Sequence, residues 1–276
     1  MTIKEILQEA IIKLKENNID KPNNKARRLL AHEIQTSKEY LISHDNDEIS
    51  EKQKSEYNKK IESLINGIPI QYIIGFQEFM GIEFFVNENV LIPQPDTEIL
   101  VEKTIEILKN YQKPKVLDLC TGSGAIAISI SKYFPKAEVI ASDISNEALE
   151  VANLNNKEDK VKFINSNLFD NIQDKFDVIV SNPPYIKTSE LKTLSKEVLN
   201  EPILALDGGE DGLVFYKKII EQAYKFLNAN GYLCLEIGED QLEEITLLLE
   251  KNSNYVEIKK YKDLAGNNRV ITCKKN

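Results

Sequence analysis

The sequence predicts an α/β protein. Seven strands, mostly parallel and alternating with helices, form a sheet whose last strand is antiparallel, and a small helical bundle and a β-hairpin linker precede it. Three observations lead there. Beyond residue 93, five short runs rich in apolar and β-branched residues recur: Lys115–Cys120, Ala137–Asp143, Val161–Asn167, Phe176–Asn182 and Gly231–Gly238. Helix-length segments separate the first four, as in the repeated β-α units of a parallel sheet. Two further runs, Tyr255–Asp263 and Arg269–Lys275, have only a short turn between them, so they pair differently and the last is expected antiparallel. Residues 1–66, by contrast, show only helical periodicity.

Within residues 1–66, Ile3, Ile6, Leu7, Ala10, Ile11 and Leu14 fall at three- and four-residue steps, which puts them on one stripe of a helix. Asp20-Lys21-Pro22 breaks that helix; Ala26, Leu29 and Leu30 start another stripe, followed by Tyr40, Leu41 and Ile42. After a polar stretch over residues 45–55, Ile61, Leu64 and Ile65 close a last helix. In residues 67–92, the runs Gln71-Tyr72-Ile73-Ile74-Gly75-Phe76 and Ile82-Glu83-Phe84-Phe85-Val86 flank Gly81 and predict the hairpin. Leu91-Ile92-Pro93-Gln94-Pro95 then leads into residues 93–276.

Composition narrows the function. With 276 residues, 42% hydrophobic and 29% charged, the chain is an ordinary globular protein with room for a sizeable core. No apolar run approaches the roughly 18 residues of a membrane span, and Glu5 and Glu9 stand where a signal peptide is apolar. Three scattered cysteines, Cys120, Cys234 and Cys273, suggest reduced thiols and a cytoplasmic protein. Two histidines and no CxxC leave little for a zinc site or a His-based triad, so no metal is expected. Residues 1–66 carry 12 basic and 12 acidic side chains, which leaves the whole net charge of −9 on the remainder. That balance argues against a protein whose main task is gripping a phosphate backbone.

Two motifs carry chemistry. The first, Val116-Leu117-Asp118-Leu119-Cys120-Thr121-Gly122-Ser123-Gly124-Ala125, is a strand, a turn of small residues and a helix start. Glycines there let a ligand approach the backbone, and the helix start offers free N–H groups. It is neither GxGxxG nor a P-loop, and such a loop can also be a plain β-α turn. Asp143 ends the next predicted strand, where a carboxylate suits two ribose hydroxyls; its alternative role is a helix N-cap. Together they indicate an adenosine-containing ligand without choosing between a nicotinamide dinucleotide and others.

The second motif is Asn182-Pro183-Pro184-Tyr185, at the end of the fourth predicted strand. Neither proline can extend a ladder, and both stiffen the turn. The Asn182 side-chain carbonyl, the Pro183 backbone carbonyl and the Tyr185 ring converge there: two acceptors and an aromatic plate suit a planar NH2 group. Such a site can hold a poorly nucleophilic amide or amine nitrogen with its lone pair aimed at an electrophile, and can steady positive charge as it develops. The alternative is a proline-rich strand exit with Tyr185 packed into the core.

This pattern resembles the class I S-adenosylmethionine-dependent methyltransferases that modify planar nitrogens, which have a Rossmann-like seven-stranded sheet. Adenine-N6, cytosine-N4 and glutamine-N5 enzymes share the tetrapeptide, so it does not by itself name the acceptor. Other segments are similar to the protein-(glutamine-N5) methyltransferases of peptide chain release factors: Pro69 to Gly75, Leu91 to Glu98, Ser181 to Ile186, Glu201 to Gly209, Leu235 to Gly238, and Asp263 to Gly266 with Arg269. The resemblance covers nearly the whole chain. It implies that Cys120, Thr121, Gly122, Ser123 and Gly124 line the methionine and ribose part of S-adenosyl-L-methionine, whose product is S-adenosyl-L-homocysteine. It implies further that Asp143 holds the ribose, that Asn167 and Leu168 flank the adenine, and that Asn182, Pro183, Pro184 and Tyr185 form the glutamine pocket, with Asn182, Pro183 and Tyr185 catalytic. The implied partner is the Gly-Gly-Gln loop of a release factor, gripped by the helical domain and the hairpin, with neither nucleic acid nor membrane as substrate. Four positions depart from the family pattern: Cys120 stands for a common glycine, Gln94 for an arginine, Asp96 for a glutamate and Asn167 for an aspartate. A nucleic-acid methyltransferase, with Lys25-Ala26-Arg27-Arg28 as a basic patch, and a non-catalytic binder are the rival readings.

Overall fold

The computed structural model describes all 276 residues. The chain divides into two compact units, one comprising Met1–Gly75 with Ser195–Asn200 and the other Phe76–Leu194 with Glu201–Asn276.

The first unit is helical: α1 (Ile3–Glu16), α2 (Pro22–Glu33), α3 (Lys38–Ser43), α4 (Glu51–Ile65) and α5 (Ile70–Ile74). Helix α1 opens with a capping box, in which Thr2 accepts from the Glu5 N–H while the Glu5 carboxylate accepts from the Thr2 N–H. Its predicted stripe is buried except for Ile11, which is half-buried. Pro22 sits at the first turn of α2, where a missing N–H costs nothing. Only Leu41 of the predicted Tyr40-Leu41-Ile42 run is buried; α3 turns Ile42 outward, 64% exposed. Ser50 starts α4 inside the stretch read as polar, again through a capping box, with Gln53. Tyr57 is fully buried and its hydroxyl donates to the Ala26 carbonyl at 3.1 Å.

Gln71–Ile74, predicted to form the first hairpin arm, belongs instead to helix α5. Pro69 precedes the helix and Gly75, at φ 81°, ends it in a left-handed cap. The antiparallel hairpin is β1 (Phe76–Phe79) and β2 (Ile82–Phe85).

The second unit continues with a 3₁₀ turn (Pro95–Thr97), α6 (Glu98–Leu108), β3 (Lys115–Leu119), α7 (Ala125–Tyr133), β4 (Glu138–Asp143), α8 (Asn146–Asn155), β5 (Val161–Asn165) and β6 (Phe176–Ser181). After a second 3₁₀ turn (Leu191–Thr193), the short helix α9 (Lys196–Leu199) joins the helical unit, where Glu197 pairs with Lys25 and the Asn200 amide donates to the Gly67 carbonyl at 3.1 Å. The chain then forms α10 (Ile203–Leu206), α11 (Val214–Phe226), β7 (Leu227–Glu236), α12 (Leu242–Glu250), β8 (Tyr255–Lys262) and β9 (Asn268–Lys275). The seven-stranded sheet runs β5-β4-β3-β6-β7-β9-β8, with β9 antiparallel to both neighbours, as the sequence predicts for the last strand. One expectation about the sheet fails: no helix lies between β5 and β6, because that segment turns back through Asp170 N–H to Asn167 O and Ile172 N–H to Phe169 O bonds.

Alternate residues of the central strands feed opposite cores. Leu117, Leu119 and Ile179 pack with Tyr216, Ile219 and Leu249, whereas Val116, Val178 and Val180 pack with Leu100, Ile126 and Ile130. Both faces are therefore apolar, as a parallel sheet requires. From β3 the chain moves first toward β4 and β5, and later from β6 toward β7. The carboxyl ends of β3 and β6 thus meet where the direction of winding reverses, the place at which open α/β sheets make a ligand crevice. Leu119 and Ser181 are register partners there, and the Ser181 hydroxyl donates to the Leu119 carbonyl at 2.8 Å.

Candidate active site

The loop after β3 is shaped by its backbone. Cys120, Gly122 and Gly124 all have positive φ, at 59°, 54° and 82°. A Cβ on Gly122 would meet no atom within 4 Å, so glycine is needed there for its conformation. A Cβ on Gly124 would lie 3.0 Å from Ile128 Cδ1 and 3.2 Å from Ala152 Cβ, so that glycine also lets α7 and α8 approach. Cys120, which stands for a common glycine, holds the left-handed conformation with a side chain, at a cost of about 1–2 kcal/mol. The Thr121 hydroxyl donates to Asp118 Oδ2 at 2.6 Å beneath the loop. Burial pushes the Asp118 carboxyl up to about 7, against the pull of that hydrogen bond.

Asp143 ends β4 beside this loop. Its Oδ2 accepts from the Gly122 N–H at 2.9 Å and its Oδ1 from the Ser145 N–H at 3.0 Å. The N-cap of α8 is Ser145, which accepts from the Ala148 N–H, so Asp143 does not take the capping role. Burial raises the Asp143 carboxyl above its ordinary value, while the backbone N–H groups around it hold it down.

The Asn182–Tyr185 turn leaves β6 on the other side of the reversal. Asn182 Nδ2 donates to Thr97 Oγ1 at 3.4 Å. Pro183 and Pro184 are buried. The backbone after them is pinned: the Ile186 N–H donates to the Leu206 carbonyl, the Gly208 N–H to the Ile186 carbonyl, and Gln241 Nε2 to the Tyr185 carbonyl at 3.0 Å. A Cβ on Gly208 would lie 2.7 Å from Tyr185 Cα, which explains a glycine at the end of the Glu201–Gly209 segment. The Tyr185 ring packs against the core, and burial lifts its hydroxyl to about 12, with Glu236 adding to the shift.

A solvent-open cavity of about 240 Å³ lies between these elements. Among the residues singled out in the sequence, it brings together Cys120, Gly122, Asp143, Asn167, Leu168, Asn182 and Pro184. Thr121, Ser123, Gly124, Pro183 and Tyr185 do not line it; Tyr185 borders a smaller cavity with Lys187, Gln241 and Arg269. Leu168 enters the wall at φ 51°. Sequence reasoning missed the opposite wall: Asn89 to Leu91, then Pro202, Leu204 and Ala205, with Phe215 and Lys218. Glu201 fastens that wall, because Glu201 Oε2 accepts from the Ile92 N–H at 2.9 Å. Glu201-Pro202 opens the family-like Glu201–Gly209 segment, and its carboxylate is the available signal.

Fold and cavity together define a methyltransferase. The Methyltransferase small domain family matches residues 95–212, and the PrmC N-terminal domain family matches residues 5–75. A crystal structure of a methyltransferase from Pyrococcus furiosus superposes with a TM-score of 0.53 at 22% identity, covering 79% of this chain and 98% of that one, which shows the shared fold. The chain is 42% identical to the release factor glutamine methyltransferase of Clostridium acetobutylicum, over 98% of each chain. It is 38% identical to that of Clostridium botulinum, over 100% of each. The chain belongs to the release factor glutamine methyltransferase family, the one its motifs resemble. No helix is long and apolar enough to cross a membrane.

Proposed function

We propose that this protein transfers a methyl group from S-adenosyl-L-methionine to the side-chain amide nitrogen of the glutamine in the Gly-Gly-Gln loop of a peptide chain release factor, in the cytoplasm. One observation carries the reading: the Asp143 carboxylate and the Asn182 amide share a single cavity at the winding reversal, in a chain that matches this family from end to end.

The residues fit the cofactor. Asp143 uses one lone pair on each oxygen for backbone N–H groups and keeps others for two ribose hydroxyls. Gly122 leaves room for close approach, and Leu168, Ala148 and Ile144 give apolar surface for a purine ring. S-adenosyl-L-methionine, when bound, supplies an already activated methyl group on a sulfonium. What remains for the protein is alignment. The Asn182 carbonyl and the Pro183 backbone carbonyl hold the two N–H donors of the amide, so that its nitrogen faces the cofactor side of the cavity. Orientation of this kind contributes up to roughly 7–11 kcal/mol in favourable intramolecular systems. The stiffness of the prolines and the bonds pinning Tyr185 and Ile186 keep the two acceptors in place before substrate arrives.

Glutamine occurs in every protein, so selectivity has to come from contacts away from the reacting nitrogen. We assign that task to the Met1–Gly75 unit and the β1–β2 hairpin. Support comes from the neutral charge of residues 1–66 and the match to the PrmC N-terminal domain. Hydrogen-exchange protection in Met1–Gly75 on mixing with release factor is the expected result, and its absence would remove the assignment.

The function is tested with isotopically methyl-labelled S-adenosyl-L-methionine offered to a purified release factor and, separately, to duplex and single-stranded nucleic acid. Label on the Gly-Gly-Gln glutamine alone is expected. Label on nucleic acid would make the Asn182 turn a base pocket.

A further inference from the structure

The Leu235-Glu236-Ile237-Gly238 segment lines no part of the main cavity, yet it places a carboxylate behind Asn182. Glu236 ends β7 and is 2% exposed. Its backbone carbonyl accepts from the Tyr216 hydroxyl at 2.9 Å, and its Oε2 has no hydrogen-bond partner. The groups facing it come from four directions: Thr97 and Asp96 from the 3₁₀ turn, Asn182 and Tyr185 from the turn after β6, Tyr216 from α11, and Arg269 from β9. Arg269 is itself anchored, 3.1 Å from Asp263 and 3.3 Å from Asp96.

A primary amide has two ends of nearly the same shape, one that only accepts and one that only donates. Behind Asn182 stand Thr97, whose hydroxyl oxygen accepts from the Asn182 amide at 3.4 Å, and Glu236, whose ionised form both Thr97 and Asn182 favour. An ionised carboxylate accepts and never donates. Thr97 accepts from the NH2 end of Asn182, which leaves its own proton free to turn toward the Glu236 carboxylate; both partners then call for the NH2 end, and the carbonyl end is left facing the cavity. We propose that Glu236 is a positioning residue which, directly and through Thr97, fixes the Asn182 amide so that its carbonyl meets the substrate N–H groups. The inference rests on Asn182 being the acceptor-binding group. Turned over, Asn182 would set its own N–H groups against those of the glutamine, so the orientation decides whether the site attracts or repels its substrate.

The arrangement has a pH signature. Burial lifts the Glu236 carboxyl to about 7, while Thr97, Arg269 and Asn182 favour the ionised form and Asp96 opposes it. A protonated Glu236 can donate, and the discrimination between the two ends of Asn182 is then lost. Turnover should therefore rise as pH increases through that region and level off above it.

The test compares Glu236→Gln, Thr97→Val and Asn182→Ala in the full chain with S-adenosyl-L-methionine and release factor, between about pH 5.5 and 9. Glutamine keeps the size of Glu236 but brings a donor of its own. Glu236→Gln is expected to lower kcat by about 10- to 100-fold while S-adenosyl-L-methionine affinity and the KM for release factor stay within about threefold. Its thermal midpoint should not fall, and its kcat should lose the acidic limb. Thr97→Val should lower kcat in the same direction by about tenfold. Wild-type kcat in Glu236→Gln beside a disabled Asn182→Ala would overturn this inference alone. So would a persistent acidic limb, or a parallel loss of kcat, cofactor affinity and stability. Wild-type kcat in Asn182→Ala would instead overturn the acceptor reading beneath it.

Discussion

The two halves of the site are built in opposite ways. The loop after β3 is made of backbone: three residues at positive φ, a peptide N–H held by Asp143, and a glycine admitting the neighbouring helix. The turn after β6 is made of side chains held by other side chains: Asn182 on Thr97, Glu236 behind both, and Arg269 balancing the charge. The first half offers a fixed backbone, the Asp143 carboxylate and open space, which suits holding a ligand that changes little in shape. In the proposed function the second aims one polar group at a reacting atom, which suits lowering a barrier. Damage to the first half should therefore appear in cofactor affinity, and damage to the second in kcat.

The largest expected effect is on the second half. Asn182→Ala should lower kcat by about 10²–10³ with cofactor affinity nearly unchanged, as for the loss of one preorganised polar contact; equilibrium binding beside steady-state rates checks this. On the first half, Asp143→Ala should weaken S-adenosyl-L-methionine binding by roughly 10- to 100-fold, the worth of hydrogen bonds to a charged acceptor, with kcat at saturation close to normal. A variant in which both quantities moved together would break the division.

A third prediction concerns the wall joining the halves. Burial lifts the Glu201 carboxyl from 4.5 to about 7, with the Ile92 N–H pulling the other way. The folded state therefore holds this proton more tightly than the unfolded state, and that stabilisation is lost as pH rises from about 4.5 to 7. Glu201→Gln keeps an acceptor for Ile92 and removes the buried charge. Its unfolding free energy at pH 8 should rise by about 1–3 kcal/mol, with a flatter pH dependence in denaturant titrations. The smallest effect belongs to Cys120. Cys120→Gly relieves the left-handed strain but adds unfolded-state freedom, so stability should change by less than about 1 kcal/mol. Cys120→Val should be less stable than Cys120→Gly by about 1–2 kcal/mol, because a branched Cβ resists positive φ.

What the sequence could show follows the same division. The glycine loop, Asp143 and Asn182–Tyr185 are each short runs at strand ends, so their order along the chain was enough to find them. The opposite wall was hidden because Asn89–Leu91 and Pro202–Ala205 meet only after folding and carry no motif of ligand chemistry. Thr97, Asn182 and Glu236 converge from distant segments, so the letters were visible while their contact was not. Two local readings failed for local reasons. Gln71–Ile74 is β-branched and aromatic, yet Pro69 and Gly75 bracket it as a helical turn. The segment before Phe176 has the length of a helix but spends its hydrogen bonds on tight turns.

Strand β9 lies between β7 and β8, although β8 precedes it along the chain. Strand β8 has no sheet neighbour other than β9, so it is joined to the rest of the sheet only through a strand that follows it in the sequence. Arg269, on β9, completes the charge balance around Glu236 and Asn182. In chain order, therefore, the strands that carry the glycine loop and Asn182 both precede the strand that completes the charge balance behind Asn182.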